Sequence, residues 1–389
     1  PPPPPRGGRP SPAPSPHPQA APANVLPTRV LPTSHGASFN SRKIRHARGR
    51  KSHARPCAQL VAVFVAAACS FMATPAMRTL VSRQIAKKVY AAEQAEGVGA
   101  RVRRALGSQH LRRLSPFLMM DHFRVGEGAG FADHPHRGQA TVTYMLEGYF
   151  QHEDFAGHRG VIGPGDIQWM TVGRGMVHAE MPIHYDERGR RLPTPVGIQL
   201  WLDLPKHAKM MEPSYQELSG SQLPLQTPRA SEPPELEGHG WEIKIISGAS
   251  HGIESPVSWP ENGDCWFLHV RLAPGGWVFQ DVPAGWNALL YIVHGCVSIG
   301  TNREPHDPFT MLVLDECPGA NGVRLVNPGT ETADAILLAG MPMQHDVVQY
   351  GPFVMTTPAE IYEAFDDYQM GRNGFERARG WHSEIARHM

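Results

Sequence analysis

Cysteine is scarce in this chain, and the few cysteines follow no pairing pattern. Only five of the 389 residues are cysteine, and no two of them form a Cys-x-x-Cys pair. This excludes a domain built on disulfides and fits a reducing compartment. Three cysteines fall in the region expected to fold, Cys265, Cys296 and Cys317. We expect them to be structural, and a thiol redox role for Cys265 or Cys296 is the alternative.

Acidic residues are missing from the first 92 positions. That stretch holds 14 of the 37 Lys and Arg, so the other 23 stand against all 36 Asp and Glu in the rest of the chain. The formal charge of +1 therefore hides a body with a net charge of −13. An acidic body argues against a broad nucleic-acid-binding face, because phosphate contacts need clusters of Lys and Arg. We expect no direct nucleic-acid partner.

Long apolar runs are missing too. The run Leu60–Cys69 is too short to span a bilayer comfortably, so no membrane partner is expected. It lies within residues 1–80, a leader rich in Pro and Arg that we expect to be disordered. The first methionines are Met72 and Met77, and we expect the residues before about Met72 to lie outside the mature protein. The alternative is an organelle transit peptide.

From about Val81 the sequence favours β-structure. Short runs rich in β-branched and aromatic residues are bounded by turn residues, as in Thr141–Leu146, Ile198–Leu202, Trp266–Leu272 and Leu289–Val293. Strand–helix alternation is absent, so the pattern predicts an all-β fold, an antiparallel sandwich or barrel. One helix is predicted over 358–365, with Thr357 as N-cap and Pro358 in its first turn.

A faint internal repeat indicates two similar domains. The segment TYMLEG at 143–148 resembles LYIVHG at 290–295, and each is a strand closed by glycine. We predict a first domain over 81–205, a linker region over 206–240, and a second domain with the helix over 241–389.

Two short strings predict a metal site, His134-Pro135-His136 and His178-Ala179-Glu180. Side chains at i and i+2 of a strand point to one face, so each string presents two donors together. The turn-forming segment at 163–166 would bring the strings close. Three imidazoles and one carboxylate suit a redox-active divalent metal such as iron(II).

The repeat restricts this site to the first domain. The positions in the second domain that correspond to the two histidines of the first string are Asp281 and Pro283.

The roles of two features next to the strings stay open. Residues 152–154 are either partners that orient the ligands or, as we favour, a plain polar loop. Arg137 and Arg174 either contact an anionic substrate or pair with acids.

In chain order the motifs resemble the pirin family of the cupin superfamily. They are FADHPHRG (131–138), TYMLEG (143–148), HEDFAGH (152–158), GDIQWMTVGRGMVHAEMP (165–182), QLWLDLP (199–205), EPSYQEL (212–218), GPFVMTTPAEI (351–361) and NGFERARGW (373–381). The resemblance runs from about residue 84 to the C-terminus. It implies two tandem cupin β-barrel (jelly-roll) domains with a C-terminal helix, one Fe(II) per chain, and the ligands His134, His136, His178 and Glu180. Pirins usually carry Phe-Glu where this chain has Gln139-Ala140, so the resemblance implies that the metal still binds and that its tuning differs.

The resemblance implies two classes of function. The first is an enzyme similar to quercetin 2,3-dioxygenase, which opens a flavonol ring with O2 and releases carbon monoxide. Glu180 would then double as a general base, and Met145, Trp169 and Met170 would line the substrate pocket. The second is a non-catalytic, iron-dependent redox sensor that regulates a transcription factor in the nucleus or cytoplasm. The intact ligand set weighs against a vestigial site, and we expect a monomer.

Overall fold

The structure, a computed structural model, describes residues 79–97, 99–229, 238–260, 264–302 and 304–387. The predicted leader, apart from residues 79 and 80, lies outside the described residues, as do residues 230–237 of the predicted linker. Within the described ranges, no helix has the length and apolar character needed to cross a membrane.

The described chain is built of antiparallel strands with one α-helix. The strands of the first half are β1 (Ile85–Tyr90), β2 (Glu93–Glu96), β3 (Ala100–Arg104), β4 (Phe117–Arg124), β5 (Phe131–His136), β6 (Gln139–Glu147), β7 (Tyr149–Asp154), β8 (Arg159–Ile162), β9 (Ile167–Thr171), β10 (Met176–Ile183), β11 (Val196–Asp203) and β12 (Ser214–Leu218). Those of the second half are β13 (Leu225–Gln226), β14 (Gly238–Ser247), β15 (Ala249–Ser250), β16 (Ile253–Glu254), β17 (Cys265–Asp281), β18 (Asn287–His294), β19 (Ser298–Ile299), β20 (Thr310–Leu314), β21 (Gly322–Val326), β22 (Ala333–Gly340), β23 (Val348–Tyr350) and β24 (Phe353–Met355). A 3₁₀ turn (Lys206–Ala208) follows β11, and helix α1 (Pro358–Met370) follows β24.

Three sheets carry the fold. A seven-stranded sheet of order β12-β9-β6-β11-β4-β3-β2 and a four-stranded sheet of order β5-β10-β7-β8 form the first domain. A nine-stranded, nearly closed barrel-like sheet, with the path β1-β20-β18-β22-β17-β14-β13, forms the second. The predicted all-β architecture of two cupin domains with a C-terminal helix is confirmed.

Two strands pair differently from what the predicted domain bounds imply. Strand β1 lies within the predicted first domain, 81–205, but pairs with β20 of the second sheet. Strand β12, in the predicted linker region, pairs with β9 of the first sheet. The domain boundaries at 81, 205 and 240 stay predictions.

Period-two alternation sets where each strand residue points. In β11, Ile198, Leu200 and Leu202 lie in a large core between the two domains. The intervening Gln199 and Trp201 line a cavity inside the first domain. Strand β6 alternates in the same way. One face of the seven-stranded sheet therefore holds the domains together, and the other carries the polar groups of the site.

The internal repeat is visible in backbone geometry. Strands β6 and β18 each end at a glycine with positive φ, +67° at Gly148 and +66° at Gly295. A Cβ atom would come within 2.7 Å of a backbone oxygen at both positions, that of Pro193 and that of Thr332 respectively. Only glycine fits such a corner, which explains why the glycine ends both copies of the repeat.

The two domains are cross-linked by a reciprocal pair of hydrogen bonds. Tyr144 of β6 contacts Nδ1 of His269 in β17 at 2.9 Å. Tyr291 of β18, the repeat counterpart of Tyr144, contacts Nδ1 of His122 in β4 at 3.1 Å. Each half thus gives a tyrosine to a histidine of the other.

His122 makes folding stability depend on pH. Burial, with smaller contributions from Arg103 and Arg124, lowers the pKa of His122 from 6.5 to about 4. Between these values the unfolded chain binds a proton here and the folded chain does not, so stability falls as pH falls through this window. From pH 7 to pH 5 this one group should reduce the free energy of unfolding by about 2 kcal/mol. Urea unfolding of wild type and His122→Gln at both pH values tests this, and an equal loss in the two proteins contradicts it.

Helix α1 begins at the predicted residue, with the predicted capping residues, and extends five residues beyond the predicted end. Thr357 and Glu360 form a reciprocal capping box, and Pro358 occupies the first turn. The helix ends at Gly371, which adopts the left-handed conformation. Its buried residues, among them Ile361 and Ala364, pack against Val177 of β10 and Phe353 of β24.

Candidate metal centre

The two predicted strings lie on neighbouring strands. Strands β5 and β10 pair antiparallel, with His178 opposite His134 and Met176 opposite His136. The side chains of His134, His136 and His178 converge, and their ring centroids are 4.3–5.1 Å apart. One ligand nitrogen from each lies within 4.8 Å of the others. Two nitrogens bound at about 2.1 Å to one ion lie up to roughly 4 Å apart, so small side-chain adjustments would close the group around a cation.

The hydrogen bonds of the rings leave nitrogens free for a ligand. His134 donates from Nδ1 to the carbonyl of Ala132 at 2.8 Å, which leaves the lone pair of Nε2 available. Both nitrogens of His178 are buried, and neither has a hydrogen-bond partner among the described residues. A buried polar atom without a partner costs free energy, so it marks a place where a partner is expected.

Burial keeps two of these histidines neutral. It lowers the pKa of His136 and that of His178 well below the usual value for histidine, and the neighbouring imidazoles lower both pKa values further. Neutral imidazole is the form that binds a metal. Two buried neutral imidazoles, one of them without a partner, converge with the ring of His134. This set fits a divalent transition metal, for which imidazole is a suitable ligand.

Glu180 lies on β10 with His178, but it is not part of the three-histidine group. Its carboxylate accepts hydrogen bonds from Thr143 at 2.8 Å and from the amide of Gln199 at 3.0 Å. The β5–β10 register shifts between His178 and Glu180, which pairs with Phe131. Among the described residues, the candidate metal-binding group consists of the three histidines and does not include this carboxylate. The role of Glu180 as a fourth ligand stays a prediction.

Two of the three histidines line a cavity of about 880 Å³, whose wall also carries charged side chains such as Arg104 and Asp121. His134, His136 and Glu180 line it together with apolar and aromatic side chains of the first domain, namely Leu118, Met119, Phe123, Phe131 and Trp201. Gln349, Gly351 and Pro352, from the β23–β24 hairpin, contribute to its wall. The volume lies within the roughly 300–1,000 Å³ typical of small-molecule sites.

The predicted apolar lining was wrong. Met145, Trp169 and Met170 do not line this cavity. Trp169 is fully buried in the core between the domains, on the opposite face of its strand. The prediction placed Trp169 on the wrong face of β9, whereas Trp201 of β11 does face the site and meets the His136 ring edge-on at 5.1 Å.

Residues 152–154 are not the plain loop we favoured. They belong to β7, and all three side chains are buried. His152 contacts Glu217 at 2.7 Å and Tyr215 at 2.8 Å, beside the strand that carries His178. Asp154 contacts Nδ1 of His158 at 2.8 Å. Buried and fully bonded, this cluster supports β10 from the side opposite β5.

The two arginines next to the strings pair with acids and backbone. Arg137 is buried, donates to Asp367 of α1 at 2.9 Å, and also bonds the carbonyls of Arg174 and Asn373. Arg174 pairs with Glu212. Neither lines the cavity. Arg137 therefore ties the loop after His136 to the C-terminal helix.

Sequence reasoning missed the side chains that support the site. Thr143 and Gln199 hold Glu180, and the amide nitrogen of Gln139 lies 2.8 Å from Nδ1 of His136. The sequence did hold a signal for two of them, because Thr143 in TVTYML and Gln199 in IQLWL are polar residues in otherwise largely apolar strands. Ala140, by contrast, lies in the core between the domains. Of the two unusual residues, it is Gln139 that contacts the site.

Fold and site define a two-domain cupin protein with a three-histidine group able to bind a metal. The "Pirin" family model matches residues 99–202, and the "Pirin C-terminal cupin domain" model matches residues 267–374. The chain is 44% identical over 318 residues to "Pirin-like protein 2" of Arabidopsis thaliana, which covers 80% of this chain and 92% of that protein. It is 41% identical over 307 residues to human "Pirin", covering 78% and 98%. The chain belongs to the pirin family, as the motifs predicted.

A solved structure extends the comparison. Quercetin 2,3-dioxygenase from Acinetobacter baumannii superposes with a TM-score of 0.64 at 26% sequence identity, covering 75% of this chain and 98% of that one. The fold of that enzyme and the fold described here are therefore alike over both cupin domains.

Proposed function

We propose that this protein is an iron(II)-dependent dioxygenase that opens the ring of a flavonol-like substrate with O2. The observation that carries the proposal is a group of three convergent imidazoles, two of which line a cavity with apolar, aromatic and charged walls, together with the carboxylate of Glu180. The likeness to a solved structure titled quercetin 2,3-dioxygenase supports it.

His134, His136 and His178 would hold the metal. When bound, an iron(II) ion supplies Lewis acidity toward a substrate hydroxyl and brings substrate and O2 together. The side chains of Trp201, Phe123 and others contribute a wall suited to a flat aromatic molecule and exclude water from it.

Glu180 would receive the hydroxyl proton of the substrate. Its carboxylate lines the same cavity, and Thr143 and Gln199 orient it from the seven-stranded sheet. A base held by two hydrogen bonds keeps its geometry through the proton transfer, which is a condition for general-base catalysis.

The test is O2 uptake with quercetin after anaerobic loading with iron(II). We expect turnover in the iron-loaded wild type and none in His136→Ala, which lacks one of the three imidazoles. Iron-loaded wild type without turnover would overturn the enzyme proposal. That outcome would favour the second function, an iron-dependent regulator acting through a protein partner in the nucleus or cytoplasm, which redox-dependent capture of that partner would test.

A further inference from the structure

We propose that Gln139 is a positioning residue that sets which ring nitrogen of His136 carries the proton, and that its amide turns over when a metal binds. The inference rests on the metal site of the proposed function. Gln139 Nε2 lies 2.8 Å from Nδ1 of His136 and 3.2 Å from the carbonyl oxygen of Pro352. Gln139 and His136 are both buried, and within the part of the chain that the structure describes Oε1 of Gln139 has no hydrogen-bond partner.

In this orientation the amide opposes metal binding. A neutral imidazole has one N–H and one lone pair. When the Gln139 amide donates to Nδ1, the proton of His136 sits on Nε2, the nitrogen that is left for a metal. A ring that binds a metal through Nε2 must instead carry its proton on Nδ1, and this N–H then needs an acceptor. The Pro352 carbonyl also lies within hydrogen-bonding reach of the His136 ring, so it competes with Gln139 for this role.

A half-turn of the Gln139 amide about its last side-chain bond presents a donor to Nδ1 in the metal-free state and an acceptor in the metal-bound state. The oxygen and nitrogen of an amide are nearly equal in shape, so the turn exchanges donor for acceptor at Nδ1 without moving the backbone. The turn replaces the bond to Pro352 by a contact between two acceptor oxygens, so it is favourable only when a metal polarises the Nδ1–H. His134 differs, because its Nδ1 faces the Ala132 carbonyl at 2.8 Å, and a carbonyl can only accept. His136 is therefore the ligand whose availability a neighbouring side chain controls.

The first readout is metal affinity, with zinc(II) as probe in competition with a chelator. Gln139→Met is close in shape but cannot accept, and we expect about tenfold weaker binding because a metal polarises the Nδ1–H and strengthens the lost bond. Gln139→Glu offers only an acceptor when ionised, and we expect about tenfold tighter binding.

Two control variants carry the same chemical changes elsewhere. Gln280→Met removes a buried amide that accepts from Ser250 in the second domain. Gln109→Glu adds a charge to the exposed rim of the same cavity. We expect both variants to bind zinc with an affinity within about threefold of wild type. For comparison, loss of a side chain that orients a metal ligand weakens metal binding by roughly 10- to 100-fold. Unchanged affinity in both Gln139 variants would overturn the proposal.

The second readout is the position of the proton on the His136 ring, from long-range ¹⁵N NMR. We expect it on Nε2 in metal-free wild type, on Nδ1 in the zinc-loaded protein, and on Nδ1 in metal-free Gln139→Glu. A proton on Nδ1 in metal-free wild type, or on Nε2 in Gln139→Glu, would overturn the proposal. A wild type that binds neither zinc nor iron would instead defeat the proposed function, and the metal-free spectra would still report on Gln139.

Discussion

Replacing His178 with leucine is expected to abolish metal binding and leave the metal-free protein at least as stable as wild type. Both ring nitrogens of His178 are buried and find no partner in the described ranges, so the side chain costs free energy until a metal binds. Leucine is similar in size and carries no polar atom. We expect at least about 100-fold weaker iron(II) binding, because a metal ligand is removed rather than a supporting side chain. The free energy of unfolding without metal should be equal or up to about 2 kcal/mol higher.

Urea unfolding with and without iron(II) measures both effects. His184→Leu is the matched control, because His184 is also buried with an unpartnered Nε2 but lies outside the three-histidine group. That variant should keep its iron. A His178→Leu protein that still binds iron with wild-type affinity would show that the cation lies elsewhere.

Glu180→Gln is expected to keep the metal and lose turnover. The amide keeps the shape of the side chain but cannot take up a proton, and loss of a general base lowers the rate by roughly 100- to 10,000-fold. Because the carboxylate lies outside the imidazole group, we expect iron affinity within about tenfold of wild type, less than the loss of a ligand would cause. Anaerobic iron titration and the initial rate of O2 uptake measure the two quantities separately.

Glu153→Gln provides the control for this change. Glu153 is buried on β7, the neighbour of β10, and pairs with Arg159 rather than facing the cavity. Its variant should keep both iron and turnover. If Glu180→Gln loses its iron, Glu180 is a ligand, as the motif alone suggested, and the base must be sought elsewhere.

The pairing of the histidine strings could be predicted from the sequence because it depends on local rules. Residues two apart share a face of a strand, and glycine and proline at 163–165 mark a turn. In the structure Asp166 closes that turn by a bond to Gly163, and the chain passes there from the four-stranded to the seven-stranded sheet. The repeat could also be predicted from the sequence, because the glycine that ends each copy adopts a conformation that excludes other residues.

What could not be predicted depends on register and on distant contacts. The register shift between β5 and β10 beside Glu180 cannot be read from the motif, because register depends on how two strands pair. The Arg137–Asp367 ion pair joins residues 230 positions apart. Trp169 lies on one of two faces of β9, and both faces are buried in the structure. A strand buried on both faces gives no clear alternation in its sequence, so the face that carries Trp169 could not be predicted.

The most direct test of the central claim is the ratio of carbon monoxide released to O2 consumed by the iron-loaded protein with quercetin. The proposed ring opening predicts one carbon monoxide for each O2, at a rate proportional to bound iron. O2 consumption no faster than with the metal-free protein, or uptake of O2 without carbon monoxide, would contradict the assignment of the three-histidine centre as a flavonol dioxygenase.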